Sequence, residues 1–565
     1  MMPRQSATTV FVQRRVCRCV GAAAVLLFHM ASVSAQVPLP SSIDPGAIQR
    51  RTMELDQQLQ EGKDRQPSVL NPLDKSAPPP PARFQSLTAR FNLKRIDFTP
   101  SEILKPEELA SFAQEFEGKE VSMADLQRLL DQINQRYRES GVVTAQAVLP
   151  PQDVVDGIVK IRLVEGRIGK IAIEGAKDTR GDYVTAWIKQ AAGGLPDISA
   201  LENDLIRFNR TNDAQLAAEL KPGKNFGESD VRLKLAEPLP YELSLFVDNL
   251  GSYSTGELRS GVQFQRRSLF GVRDGLGLSY SRARGHDGYG LNYSLPVNTW
   301  GTRLATAYNS DKTHVVYGPF ADLDITGEAE SYGADLQHPL YFDSRRYLEG
   351  SIGLRSREVL NWISGIPLQE TRTDDQHVAL SWQSVDDSGY WNAFLTYVSG
   401  RVDNSGAQGK NYHLARGNVR RTQELATGWS LRSSVSFQAA RTELLPPSEQ
   451  FMVGGEGSVR GYQMGLYSGD SGHVVSVELH HPVPLGMDDQ AKLTGHFFVD
   501  YGVAKPYRPV GSDRGADEIV GAGWGAILSV GKRVTTRVSF GFPLRDRLEE
   551  KKNYYITAQV VAVIF

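Results

Sequence analysis

Arg533-Val534-Thr535-Thr536-Arg537-Val538-Ser539-Phe540 decides the fold. Val534, Thr536, Val538 and Phe540 alternate with Arg533, Thr535, Arg537 and Ser539, so an extended segment here has one apolar face and one polar, cationic face. The arginine face cannot lie in hydrocarbon, where a charge at the midplane costs about 2–4 kcal/mol. It must line an interior. The same texture starts at Tyr241, with Leu258, Val262 and Phe264 alternating against Arg259, Gln263 and Gln265. It continues to Phe565 in segments of roughly ten residues separated by clusters of Gly, Asp, Asn and Ser. About sixteen such segments are expected, and only a closed sheet crosses a bilayer without bare edges. The predicted fold over 239–565 is therefore a membrane all-β barrel of about sixteen antiparallel strands. The mean hydropathy of −0.33 fits, because every second barrel residue faces a wet lumen.

Residues 1–35 read as a secretory signal. Arg4, Arg14, Arg15 and Arg18 precede an apolar run, Val20 to Met30, that is too short to span, and Val33-Ser34-Ala35 suits cleavage before Gln36. Both cysteines, Cys17 and Cys19, lie in this segment, so the exported chain is expected to carry no disulfide, no cysteine-ligated zinc and no thiol nucleophile. A net charge of −2 gives no footprint for nucleic acid.

Between signal and barrel the chain divides further. Residues 36–62 hold a helix, with Asp44 as N-cap, Pro45 at the first position and only a thin apolar stripe of Ile48, Leu55 and Leu59. Residues 63–83 are a linker stiffened by Pro78-Pro79-Pro80-Pro81. Residues 84–165 and 166–238 read as two tandem α+β units. In the first, Phe91 to Phe98 is a strand, Pro106 opens a helix, and Ser122 with Asp125 caps a second helix whose inner face is Leu126, Leu129, Leu130, Ile133 and Tyr137. In the second, Tyr183 to Ala192 and Asp197 to Arg210 are expected helices, and Gln215 to Leu220 and Val231 to Leu235 expected strands.

The barrel is interrupted at about 444–471 by a segment too long for a hairpin turn. It holds Gly455-Glu456-Gly457-Ser458-Val459-Arg460-Gly461-Tyr462. Val459, Tyr462, Met464, Leu466 and Tyr467 make it apolar enough to pack, and the barrel interior is the available place. Arg460 would then need a carboxylate. Strand parity supplies two. With Phe497, Val499 and Tyr501 outward, Phe498, Asp500 and Gly502 point inward; with Val475, Val477 and Leu479 outward, Glu478 does too.

These motifs resemble the TpsB transporters of two-partner secretion, the haemolysin and filamentous-haemagglutinin secretion group of the BamA-like superfamily. The family's loop motif matches Val459, Arg460, Gly461 and Tyr462, and its barrel-wall motif matches Phe498, Asp500 and Gly502. Asp248-Asn249 with Gly251, Leu269-Phe270-Gly271 and a terminal Phe565 also fit. The resemblance implies two periplasmic POTRA domains that capture an unfolded, secreted TpsA-like partner, and a plug helix in an outer-membrane pore. It implies a loop pinned through Arg460 and Asp500, insertion into outer-membrane lipid by the barrel assembly machinery, and no cofactor. A BamA-type assembly factor, which shares barrel and arginine loop, is the alternative.

Catalysis has little to stand on in the residues. There is no G-x-S-x-G elbow and no phosphate loop ending in Lys-Ser/Thr. His480 and His481 are adjacent in a strand and face opposite sides, and Arg460 makes Asp500 and Glu478 ion-pair partners rather than an acid–base pair.

Overall fold

The computed structural model describes residues 39–61, 70–74, 90–140, 145–225, 227–404, 409–441, 445–486, 490–507, 515–545 and 552–565. The predicted signal, residues 1–35, and most of the linker lie outside them.

Sixteen antiparallel strands close into one barrel. In chain order the first are β10 (Tyr241–Asp248), β11 (Arg259–Arg267), β12 (Gly275–Ala283), β13 (His286–Pro296), β14 (Arg303–His314), β15 (Ile325–Phe342), β16 (Arg346–Ile363) and β17 (Ile366–Asp386). Then come β18 (Gly389–Asn404), β19 (Lys410–Glu424), β20 (Ser430–Ala440), β23 (Ser471–Val483), β24 (Ala491–Lys505), β25 (Asp517–Val530), β26 (Val534–Arg545) and β27 (Tyr555–Val563). Each pairs with its neighbour. The seam joins Ser244–Asp248 of β10 to Gln559–Val563 of β27, and the Leu243 N–H donates to the Phe565 carbonyl at 3.0 Å. Parity separates two solvents. Phe497, Val499, Leu354 and Leu380 lie exposed on the outer wall, where hydrocarbon covers them, while Asp500, Arg357 and Asp375 face in and are buried.

The short strands β21 (Phe451–Val453) and β22 (Tyr467–Gly469) form a separate ribbon between β20 and β23. The first helix, α1 (Pro45–Glu61), is capped as its sequence requires: the Ala47 N–H donates to Asp44 Oδ1 at 2.8 Å.

The first α+β unit is built from β2 (Arg90–Leu93), β3 (Arg95–Phe98), α2 (Pro106–Gln114), β4 (Lys119–Ser122), α3 (Met123–Glu139), β5 (Gln146–Val148) and β6 (Ile158–Val164). The single strand expected over Phe91 to Phe98 is split at Lys94, because the N–H groups of Lys94 and Arg95 both turn to the Gly157 carbonyl. The two halves join different sheets, β2 with β4 and β3 with β6. Ser122 and Asp125 form a reciprocal capping box on α3, whose inner face is the five apolar residues read from the sequence.

The second unit holds β7 (Arg167–Glu174), α4 (Gly181–Ala186), α5 (Ile198–Thr211), β8 (Gln215–Pro222) and β9 (Glu228–Ala236). Its first helix is shorter than the sequence implies. It stops at Ala186, Trp187 turns in to stack edge-on against Phe208 at 5.4 Å, and the chain unwinds before Gly193 at φ +83°. The linker contributes β1 (Leu73–Asp74), which adds in parallel to the outer edge of β8, with the Ala218 N–H donating to the Pro72 carbonyl at 2.8 Å.

The second unit stands on one rim of the barrel. Arg273 Nε donates to Asp213 Oδ1 at 2.7 Å, the Arg180 N–H to the Gly271 carbonyl at 2.8 Å, and Arg210 Nη2 to the carbonyls of Asp343 and Ser344 at 3.2 and 3.1 Å. The turns after β11 and β15 thereby mark the rim on the side of the α+β units.

Leu129 is fully buried under α3. Leu129→Ala should destabilise the first unit by about 2–5 kcal/mol, read as faster amide hydrogen exchange across α3 with exchange in the barrel strands unchanged.

Candidate functional site

The barrel lumen is filled by two segments, the loop between β20 and β23 and the helix α1. Val453, Val459 and Tyr462 of the loop pack on Val474, Ala504 and Ile519 of the wall. The wall is cut away to receive them. A Cβ on Gly502 would lie 2.6 Å from Val459 Cγ2, so only glycine admits the loop there. Gly461 at the loop tip takes φ +93°, a conformation that costs side-chain-bearing residues energy, and its own Cβ would meet the backbone of Phe542 at 2.9–3.0 Å.

Arg460 is buried at that tip. Its Nε donates to Asp500 Oδ2 and its Nη2 to Asp500 Oδ1, both at 2.8 Å, a forked pairing that fixes direction as well as distance. The Arg460 backbone N–H adds a third bond to Asp500 at 3.0 Å. Nη1 lies 2.6 Å from Glu478 Oε1, Ser476 Oγ donates to Asp500 at 2.6 Å, and the guanidinium sits 3.6 Å above the Phe498 ring. Glu478 Oε2 shares a further hydrogen bond with His480 Nε2 at 2.7 Å. The Tyr462 hydroxyl lies 2.8 and 2.6 Å from the carbonyls of Val520 and Arg545, which share its single proton. The structure thus brings together Val459, Arg460, Gly461, Tyr462, Phe498, Asp500, Gly502 and Glu478. Phe565 stands apart, at the rim and half exposed. His480 stacks on His496 across the strand pair at 5.0 Å, and His481 turns outward to Trp429 at 4.4 Å.

A second ion cluster holds the other limb of the loop, and the sequence reading missed it. Glu449 is fully buried, with Oε1 accepting from Arg357 Nη1 at 2.8 Å and Oε2 accepting from Arg416. Arg355 Nη2 lies 3.8 Å from the same carboxylate and bridges on to Asp375 at 2.9 Å. Inward parity of Arg355 and Arg357 on β16 was legible; that Glu449 returns from the far side of the loop was not.

The helix α1 lies against both the wall and the loop. Gln49 Nε2 donates to Asp311 Oδ2 at 2.7 Å, and Asp311 Oδ1 is held by His286 Nε2 at 2.7 Å. Arg50 donates to the Gln450 carbonyl, and Arg51 Nη2 donates to the Glu456 carbonyl at 2.8 Å. Arg259, forked onto Asp248 at 2.9 and 3.0 Å, reaches Asp56 at 3.2 Å. At the far rim the Ser254 hydroxyl donates to the Ser42 carbonyl at 2.7 Å, and Ile43 packs with Val315 and Ile325. The helix therefore runs through the lumen from the far rim toward the α+β units.

Residues 227–528 match the family model described as haemolysin secretion/activation protein ShlB/FhaC/HecB, and residues 91–166 match the ShlB-type POTRA domain. The chain belongs to this family. It is a TpsB transporter of the outer membrane, with its POTRA domains in the periplasm. It is 26% identical over 440 residues to the heme/hemopexin transporter protein HuxB of Haemophilus influenzae, covering 74% of this chain and 77% of that one. It is 24% identical over 407 residues to the outer membrane transporter CdiB of Dickeya dadantii, covering 68% and 71%. The solved structure of CdiB from Escherichia coli has a TM-score of 0.65 at 19% identity, covering 92% of this chain and 98% of that one. BamA of Haemophilus ducreyi lacking POTRA domains 1–3 shares the fold at a TM-score of 0.52 and 16% identity, over 84% of this chain and all of that one.

Breaking a buried, hydrogen-bonded pair leaves one charge uncompensated, at about 3–5 kcal/mol. Arg460→Gln and Asp500→Asn should each lower secretion and the barrel's thermal midpoint, and the double variant should fall well short of the sum. Strict additivity in that cycle would show that the two side chains act independently.

Proposed function

We propose that this transporter exports one or a few large unfolded partner proteins, captured by the POTRA domains and passed through the barrel after the lumen is cleared. One observation carries the reading: the lumen is blocked by a helix held through polar contacts. Gln49, Arg50, Arg51 and Thr52 of α1 are buried, and among its described side chains the buried apolar ones are Pro45, Ala47, Ile48 and Leu55. A segment so fastened gives up little hydrophobic free energy on leaving, and water replaces its hydrogen bonds as it goes.

Capture fits the sheet edge that the second POTRA unit presents. β8 lies at the margin of its sheet and here pairs with β1 of the linker. An extended partner segment would use the same N–H and C=O groups, so partner and linker compete for one edge. Similar proteins include a heme/hemopexin transporter, the outer membrane transporter CdiB and a hemolysin transporter, which supports a partner drawn from a similar broad class of secreted proteins. The periplasm offers no nucleotide, and direction would come from folding of the partner outside. The terminal strand with the exposed Phe565 is the segment offered to the barrel assembly machinery.

Two deletions test this. Removing residues 44–61 should raise ion current through reconstituted pores. Removing residues 84–165 should abolish partner export while heat-modifiable migration shows the barrel still folded. Unchanged current in the first, or normal export in the second, would overturn the respective half of the proposal. Export into partner-free proteoliposomes should need no added nucleotide.

A further inference from the structure

The loop has two fasteners on different walls: the plug rests directly on the Glu449 segment and meets the Arg460 limb through Arg51 and the Glu456 carbonyl. The Arg460 cluster engages β23 and β24. The Glu449 cluster engages β16 and β19 and lies directly beneath α1. Ser448, Glu449 and Gln450 are all at the helix: a Cβ on Gly46 would lie 3.1 Å from the Ser448 Cβ and 2.7 Å from Val359 Cγ2, so the helix rests on this segment without clearance. Arg50 donates to the Gln450 carbonyl, and the Gln450 side chain accepts from Ser41 Oγ at 2.7 Å and from Ser468 Oγ at 3.0 Å.

What holds the segment to the wall is mainly Glu449. Its carboxylate takes Arg357 and Arg416, with Arg355 at 3.8 Å, and its carbonyl accepts from Gln438 Nε2 at 2.9 Å and Arg416 Nη2 at 3.2 Å. Arg357 Nη1 also reaches the Ser448 carbonyl at 3.4 Å. Three guanidiniums converge on one carboxylate; on the wall Asp375 is engaged through Arg355, and from the plug side Asp44 and Glu54 lie within electrostatic reach of Arg357 and Arg416, respectively. Withdrawing Glu449 would leave this wall with an excess of buried positive charge, and neighbouring charges of one sign repel strongly where water is scarce.

We propose that Glu449 is a positioning residue that couples the plug to the loop: while its carboxylate is seated among Arg355, Arg357 and Arg416, the Ser448–Gln450 segment forms the shelf on which α1 is held, and unseating it frees the helix. This rests on the reading of α1 as a removable plug. It makes the Glu449 cluster a second latch, distinct from the Arg460 pair in residues, wall and consequence.

The test uses the full-length transporter in planar bilayers, with residues 44–61 deleted as the fully unplugged reference. Glu449→Gln should raise the mean current several-fold toward that reference, with heat-modifiable migration of the barrel intact. Arg357→Gln in the Glu449→Gln background should bring the current part of the way back, since it removes one uncompensated charge; a role in packing alone would not be rescued by a second loss. Arg50→Ala, which alters only the plug side of the shelf and leaves the barrel wall untouched, should also raise the current, and combining it with Glu449→Gln should add little. Wild-type current in Arg50→Ala, or in a folded Glu449→Gln, while the deletion is open, would overturn the latch and leave the plug standing. Wild-type current in the deletion itself would overturn the plug. Should Glu449→Gln fail to assemble, the Arg50→Ala current alone decides.

Discussion

A closed sheet in hydrocarbon obliges every second residue to face inward, and sixteen strands enclose more space than their own side chains fill. The interior is polar because the exterior must be apolar. What occupies it must therefore be polar at its contacts too. Both occupants obey. The loop brings Glu449, Glu456 and Arg460 to the wall, and α1 brings Gln49, Arg50 and Arg51. Apolar packing is concentrated at the loop tip around Val453, Val459 and Tyr462, where glycines such as Gly502 thin the wall, with smaller clusters at Leu445 and Ile43.

Ionic fastening suits segments that leave the lumen in the proposed export. Taking charges from water is costly, and a buried pair repays the cost only when its geometry is close to ideal. The forked Arg460–Asp500 pair meets that condition, with a backbone donor and a serine hydroxyl completing the carboxylate's partners. The converse matters as much. Once a segment leaves and water enters, each group recovers its hydration, so the open lumen is not penalised as an emptied hydrophobic core would be. The arrangement is specific when closed and tolerable when open.

The barrel was legible because parity is a local property. Arg537 and Val538, or Asp500 and Val499, assign their faces from neighbours alone, and Arg460 announced itself as a cation between glycines that needed an inward acid. Contacts made across the lumen were not legible. Gln49 and Asp311 are separated by 262 positions and Arg51 and Glu456 by 405, and nothing in either local pattern marks the pairing. Nothing local to Glu449 in the sequence marks it as the partner of arginines on β16 and β19. Lys94 looked like the middle of a strand, and the break there is imposed by Gly157 from across the sheet. Helix α4 ends early because burying Trp187 against Phe208 outweighs the propensity of the residues that follow.

The linker bears on how capture could reach the lumen. Eleven residues, 62–72, separate the end of α1 from β1, and a chain of that length reaches at most about 40 Å when extended. A helix of the length of α1 is about 25 Å long. The maximal reach of the linker therefore exceeds the length of the helix. Displacing β1 by a partner strand adds slack but exerts no pull. Under the proposed function, a signal from a captured partner to the helix has to travel through parts that are packed against one another, and the second POTRA unit is packed on the turns at the ends of β11 and β15. The strand that follows the second of these turns, β16, carries Arg355 and Arg357, and they meet Glu449 under the helix. A rigid strand joining the docking rim to the shelf of the plug is the continuous physical route that the linker does not provide.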